Sequence, residues 1–232
     1  MNINKGLNLL KKAIYDITPF TTLDYKDNLS CIVWFISCNM RCQYCYNSNI
    51  IECKDGNYAI KDLFEFLEKR VGLLDAVVLS GGEATRHDLL PICKKIKSMG
   101  FKIKLDTNGT NLTLLKQLIE NDYLDYIALD FKALEEDFQT ITNSNLYDKF
   151  LETIKYLIKI NFNFEVRTTL HADLITLKQL NKMIDQLYQL GYKNNFYIQN
   201  FLNVDNYADL KEPKNSIDKE LLSNKLNILW RN

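Results

Sequence analysis

Apolar positions along the chain follow two spacings that take turns. Short runs rich in β-branched and aromatic residues read as buried strands: Ser30 to Ile36, Ala76 to Ser80, Phe101 to Leu105, Tyr126 to Phe131, Phe164 to Leu170 and Phe196 to Phe201. Between them the apolar residues recur at helical spacing. Ile60, Leu63, Phe64, Leu67 and Val71 precede Gly72, Leu89, Cys93 and Ile96 precede Gly100, and Leu177, Leu180, Ile184 and Leu187 precede Gly191. Leu112, Leu115, Leu118 and Ile119 form another stripe, as do Phe150, Ile154, Leu157 and Ile158. A glycine just past such a stripe ends a helix, because it takes the left-handed conformation at no steric cost. The same spacing predicts a short helix through Leu7, Leu10 and Ile14, stopped at Thr18-Pro19, and a second through Leu222, Leu226 and Leu229.

Strands alternating with helices predict βα units and a parallel sheet, hence an α/β fold. The unit series runs from residue 30 to 202, with a lead-in over 1–29 and a polar tail over 203–232 expected to pack back on the same single domain. A closed eightfold barrel takes about 250 residues. Six units therefore leave either an open doubly wound sheet or an incomplete barrel, and spacing alone does not choose.

Charge narrows the partners. The 29 basic and 29 acidic side chains cancel, so no net field draws nucleic acid or an anionic membrane. The uninterrupted apolar run Ile32 to Ile36 is far short of the ~20 residues of a membrane span. Lysines 5, 11 and 12 interrupt any signal-peptide core, so a cytoplasmic protein is expected. In that reducing compartment the 6 cysteines are expected to be ligands, reactive thiols or core residues, not disulfides.

Three of them stand together. Cys38-Asn-Met-Arg-Cys42-Gln-Tyr-Cys45 directly follows the first strand of the series, and a loop this short can wrap one soft metal centre. A structural zinc wants a fourth ligand, and Cys31, Cys53 and His87 are available but at no obvious zinc-pair spacing. An iron–sulfur cubane is also normally held by four cysteines, so three would leave one iron open to a substrate or cofactor.

Polar groups gather near the carboxyl ends of the strands, where α/β folds build their sites. Ser80-Gly81-Gly82-Glu83 combines backbone that can approach a ligand closely with a carboxylate that can accept from an ammonium group. Asp106-Thr107-Asn108-Gly109 ends the next strand, and Asp130 and Lys132 sit two apart on the one after, on one face, where they can pair. Arg167 and Thr169 share a face of the fifth strand, and Gln199 ends the sixth. Strict alternation would put Lys102 and Lys104 on the face of Asp106, so a bulge or a twist is expected there.

The C-x3-C-x2-C run, with Tyr44 before its last cysteine, together with Gly81-Gly82-Glu83, resembles the radical S-adenosylmethionine (SAM) superfamily. Thr21 to Phe35, Leu105-Asp106-Thr107-Asn108-Gly109 and Leu129-Asp130-Phe131-Lys132 extend the resemblance, over roughly Thr21 to Phe201, to activating proteins of anaerobic ribonucleoside-triphosphate reductases, which are similar to pyruvate formate-lyase-activating enzyme. The resemblance implies an incomplete (β/α)6 TIM-type barrel and one [4Fe–4S] cluster on Cys38, Cys42 and Cys45 whose open iron chelates SAM. It also implies that Gly81, Gly82 and Glu83 bind the SAM amino group and that Tyr44 lies against the adenine. Asp106 and Thr107, with Asn108 beside them, would shape the SAM carboxylate end, in some relatives through a monovalent cation. Asp130, Lys132 and Arg167 would lie near SAM or the substrate. The implied reaction is reductive cleavage of SAM, fed by a flavodoxin- or ferredoxin-type donor, and hydrogen abstraction from a glycine of a glycyl-radical enzyme, the large subunit of anaerobic ribonucleotide reductase. Ala84 and Tyr46 stand where many relatives have proline and histidine.

Two other readings stay open: a small-molecule radical SAM enzyme such as a 7-carboxy-7-deazaguanine synthase, and a non-catalytic electron-transfer or zinc module. Cys31, Cys93 and Trp34 are expected in the core, His87 and His171 in loops, and Cys53 is too isolated for a second cluster.

Overall fold

The computed structural model describes residues 7–231. The chain forms two compact units, the first made of Met1–Asn39, Asn49–Thr107 and Asn111–Ile127, the second of Met40–Ser48, Asn108–Thr110 and Ala128–Asn232.

In the first unit β1 (Ile14–Thr21) runs antiparallel to β2 (Ser30–Phe35), which pairs in parallel with β3 (Ala76–Gly81), and β3 in parallel with β4 (Lys102–Thr107). The short α1 (Ser48–Glu52) and α2 (Ile60–Glu68) connect β2 to β3, α3 (Leu89–Ser98) connects β3 to β4, and α4 (Leu112–Glu120) leads to β5 (Tyr126–Asp130), which passes into the second unit. Alternate residues of β2 to β4, including Val33, Phe35, Val77, Leu79, Ile103 and Leu105, are wholly buried, as are Leu63, Leu67, Ile96, Leu115 and Leu118 of the helices. Each such side chain contributes about 1.5–3 kcal/mol relative to exposure. The other sheet face carries a smaller core of Tyr25, Ile32, Ala76 and Val78, against which half-buried Trp34 and Tyr126 pack.

The second unit continues with α5 (Glu135–Thr142), α6 (Tyr147–Lys159), β6 (Phe164–Leu170), α7 (Leu177–Gln189), β7 (Phe196–Asn200) and β8 (Ile228–Arg231). Strands β6, β7 and β8 are parallel, and strand order follows chain order in each unit. Thr176 caps α7 by accepting from the Gln179 amide, and Gln179 reaches back to the Thr176 amide at 2.8 Å. Among the described residues no helix is long and apolar enough to cross a membrane.

Two expectations need correction. The helix through Leu7, Leu10 and Ile14 does not form: its last residue opens β1, because Ile14, Ile17, Thr18 and Thr21 are β-branched and Pro19 falls in the irregular stretch of pairing between Thr18 and Thr21. The helix through Leu222, Leu226 and Leu229 is replaced by a single 3-10 turn (Lys219–Leu221) and β8. Pairing with β7 outweighs a three-residue periodicity there. Helix α5, whose first turn carries Glu135, Glu136 and Asp137 and whose apolar stripe is only Phe138 and Ile141, was not anticipated.

Candidate functional site

At the strand ends of the first unit the chain turns sharply after β3. Gly81 has φ +113°, and a Cβ there would lie 2.3 Å from the Phe35 carbonyl oxygen; at Gly82 it would lie 2.1 Å from that of Ser37. The pair of glycines therefore serves a close approach to the chain's own backbone. The Gly82 amide donates to the Phe35 carbonyl at 2.9 Å and the Glu83 amide to that of Ser37 at 2.8 Å, which ties this turn to the residue before Cys38.

Glu83 follows, and only 2% of it is exposed. Its Oε1 accepts from the Thr85 hydroxyl at 2.7 Å, the Thr85 amide at 3.1 Å and the Thr107 hydroxyl at 2.8 Å. The carboxylate is thus aimed from both β3 and β4 before any ligand arrives, and Thr107 acts as its support. Asp106 points to the opposite side of β4. Its Oδ2 accepts from the Ser80 hydroxyl at 3.1 Å, and Lys104 Nζ lies 3.1 Å from its Oδ1. The β3–β4 register runs without interruption, so the expected bulge is absent and alternation holds: Lys104 shares the face of Asp106 and is buried, while Lys102 is exposed and donates to Asn28. His87 is also buried, its Nε2 donating to the Ile36 carbonyl at 2.8 Å, and burial lowers its pKa.

The second unit gathers ions instead. Asp130 at the end of β5 accepts from Arg167 Nε at 2.5 Å through one oxygen and from Lys132 Nζ at 3.0 Å through the other. Burial alone would raise the Asp130 pKa, but the two cations outweigh it and hold the carboxyl at about 2. Burial pulls Lys132 down, and Asp130 together with Tyr44 and Cys42 more than reverses it. Beneath this pair Arg231 of β8 makes a two-pronged bridge to Glu165 at 2.6 and 2.8 Å and covers the ring of Tyr197. Asn108 is occupied locally: its side-chain oxygen accepts from the amide and hydroxyl of Thr110, closing the turn in which Gly109 takes φ +74°.

The cysteine loop leaves β2 through Ser37, which has φ +69°, and Cys38 is half-buried. Cys42 and Cys45 are brought into one turn by the hydrogen bond from the Cys45 amide to the Cys42 carbonyl, 3.0 Å. Two features hold this part of the loop. The amides of Arg41 and Gln43 donate to the carbonyls of Thr142 and Ile141, so the loop satisfies the bare carboxyl end of α5. From the tail, the amides of Tyr207 and Ala208 donate to the carbonyls of Cys45 and Gln43 at 2.9 and 3.1 Å. Neither support was visible in the sequence, since α5 is weakly patterned and the tail is polar. Tyr44 is buried, with its hydroxyl 3.4 Å from the Lys132 carbonyl, and burial raises its pKa far above the usual phenol value.

All six cysteines are free thiols. Burial pushes Cys31 and Cys93 up to about 12, as suits core residues. Cys53 donates to the Asp55 carbonyl. Among the described residues no three or more His, Cys, Asp or Glu side chains are grouped to hold a single metal ion. Cys38, Cys42 and Cys45 are three free thiols within eight residues of the chain, the donor type that iron–sulfur centres take.

The profile described as the radical SAM superfamily matches residues 32–198. A protein named as a candidate glycyl-radical enzyme activating enzyme from Methanocaldococcus jannaschii is 31% identical over 168 residues, 69% of either chain. Pyruvate formate-lyase-activating enzyme of Clostridium pasteurianum is 24% identical over 67% of this chain and 69% of its own. Among solved structures, SuiB of Streptococcus suis bound to SAM matches with a TM-score of 0.66 at 17% identity, covering 85% of this chain; this chain spans about half of SuiB, 48%. QueE of Escherichia coli matches with a TM-score of 0.53 at 14% identity, over 81% of this chain and 83% of that one.

Proposed function

Because the chain belongs to the radical SAM superfamily, we propose that it is an activating enzyme that installs a glycyl radical on a partner protein, the large subunit of anaerobic ribonucleoside-triphosphate reductase. The observation that carries this reading is the 31% identity, over 69% of both chains, to a protein named for that activity. The resemblance of Thr21 to Phe35 and of the Asp106 and Asp130 motifs to reductase activators supports the narrower choice of partner.

Cys38, Cys42 and Cys45 would hold the [4Fe–4S] cluster. When bound, it supplies the electron, received from a flavodoxin- or ferredoxin-type donor, that cleaves SAM and starts hydrogen abstraction. The chain's own residues bind and orient. Glu83, fixed by two hydroxyls and an amide, is a ready acceptor for the SAM ammonium group, with no reorganisation left to make on binding. Asp130 keeps Arg167 and Lys132 in place as donors whose charge does not vary with physiological pH. Gly81 and Gly82 bring Glu83 and the start of the cysteine loop onto one stretch of paired backbone, so the acceptor and the first ligand are placed by the same hydrogen bonds.

The test is anaerobic reconstitution with iron and sulfide, then dithionite and SAM. Formation of 5′-deoxyadenosine is expected, and its absence from protein with an intact cluster rejects the superfamily chemistry here. Cys42→Ala should lose the cluster's visible absorbance and all SAM cleavage. Mixing with a candidate reductase should give a glycyl radical by electron paramagnetic resonance; cleavage of SAM without that signal on any glycyl-radical partner would favour a small-molecule substrate.

A further inference from the structure

Lys104, in the first unit, is a cation buried in the sheet at the proposed cofactor site. It is 3% exposed, its Nζ sits 3.1 Å from Asp106 Oδ1, and it donates to the carbonyl of Asp24. That carbonyl is itself fixed, since the Asp24 carboxylate accepts from the Thr21 hydroxyl at 2.7 Å in the turn after β1. Asp106 is oriented in turn by the Ser80 hydroxyl from the neighbouring strand. A buried carboxylate and a buried ammonium at this separation are stable only as a pair, because either one alone bears the full cost of leaving water.

This pairing does not suit an alkali-metal ion bound at Asp106, the arrangement the resemblance allowed for. A metal ion there would share one carboxylate with an ammonium a few ångströms away, and like charges at that range in a poorly screened interior repel strongly. Lys104, tethered by the chain, reaches Asp106 without recruiting an ion from solution and cannot be diluted away. The residue type is also suited to the task, since an ammonium is a compact point charge that donates to the Asp24 carbonyl while lying within ion-pair distance of the Asp106 carboxylate.

We propose that Lys104 is the built-in counter-cation of Asp106, so that this protein needs no sodium or potassium at the carboxylate that shapes its SAM site. The proposal rests on the SAM-binding reading above for its functional meaning, and on the Lys104–Asp106 pair for its physical content. The experiment compares reconstituted wild type with Lys104→Met in sodium, potassium and choline chloride at matched ionic strength, measuring SAM affinity by calorimetry and thermal unfolding separately.

Wild type should bind SAM with the same affinity in all three salts and unfold at the same temperature. Lys104→Met should bind about tenfold more weakly in choline and recover saturably with sodium or potassium, with a parallel rise in melting temperature. Wild-type affinity or melting temperature that rises saturably with an alkali ion would overturn the proposal, as would a folded Lys104→Met that ignores salt identity. If neither protein binds SAM in any salt, the functional reading fails, while the melting temperatures still decide whether Lys104 replaces an ion. Should Lys104→Met not fold, the wild-type comparison alone decides.

Discussion

Each unit holds a carboxylate at the end of a strand, and the two are handled in different ways. Glu83 accepts from neutral groups, among them the hydroxyls of Thr85 and Thr107 and an amide, whereas Asp130 accepts from a guanidinium and an ammonium. Neutral donors orient a carboxylate without spending its charge; ion pairs spend the charge to fix two long side chains. The first arrangement suits an acceptor that must receive a cationic group, the second a set of donors that must stay put. Asp106 shows that the choice belongs to the position and not to the unit, for it lies next to Thr107 in the chain yet is paired with Lys104.

The contrast can be broken by substitution. The largest effect is expected at Gly82→Ala, where the added methyl would lie 2.1 Å from the Ser37 carbonyl oxygen, a backbone atom with nowhere to go. Parting the two strand ends should cost about 4 kcal/mol by chemical denaturation, and should also loosen the lead-in to Cys38 and lower cluster content. An undisturbed variant would show that Glu83 is not placed by this approach.

Asp130→Asn should come next. It leaves Arg167 and Lys132 without their shared counter-charge, at a cost of about 3 kcal/mol. A loss well under 1 kcal/mol would remove the distinction between the two carboxylates. Thr107→Val, which keeps shape but deletes one hydroxyl, should cost about 1–2 kcal/mol. Its SAM affinity should fall, since the hydroxyl that supports Glu83 is lost.

The smallest effect is read by acid. The Asp130 carboxyl is held at about 2 against an ordinary 3.8, so its contribution is whole above pH 4 and is lost as pH falls through the folded value. Wild type should lose more stability than Asp130→Asn between pH 4 and 2. Parallel acid profiles would mean that the ion cluster contributes nothing through its charge.

Much of this architecture could be read from residue order. The strands from Ser30 to Phe201 and the helices between them were legible because each is a run of one period bounded by a breaker, and Gly72, Gly100 and Gly191 do take positive φ. The chain ends were not. Leu222, Leu226 and Leu229 have helical spacing by coincidence, and what decides β8 is a partner strand about thirty residues away in the chain, with Phe196 facing Ile228. Pro19 looks like a helix stop and lies in a strand, where the pairing with β2 is irregular.

At the sites, residue identity was legible and partnership was not. Asp130 with Lys132 could be anticipated because both belong to one strand end. Glu83 with Thr107, and Ser80 with Asp106, depend on the register between β3 and β4, which no single strand encodes. The two glycines were read as room for a ligand, yet the space they leave is filled by Phe35 and Ser37.

The tail is the feature with the widest practical reach. Between β7 and β8 it crosses the cysteine loop at Tyr207 and Ala208, is caught at Lys211 by His171, and is clasped at Lys214 and Asn215 by Asp173. Both of its ends are anchored in strands, so the segment is always near the groups that hold it. One proteolytic cut near the exposed Ser216 would remove no atom from the loop's surroundings and still dissolve that nearness, leaving the cysteine turn to fray in a protein of unchanged composition. Intact mass alone would not reveal the damage in a preparation whose pieces stay together; a denaturing gel would.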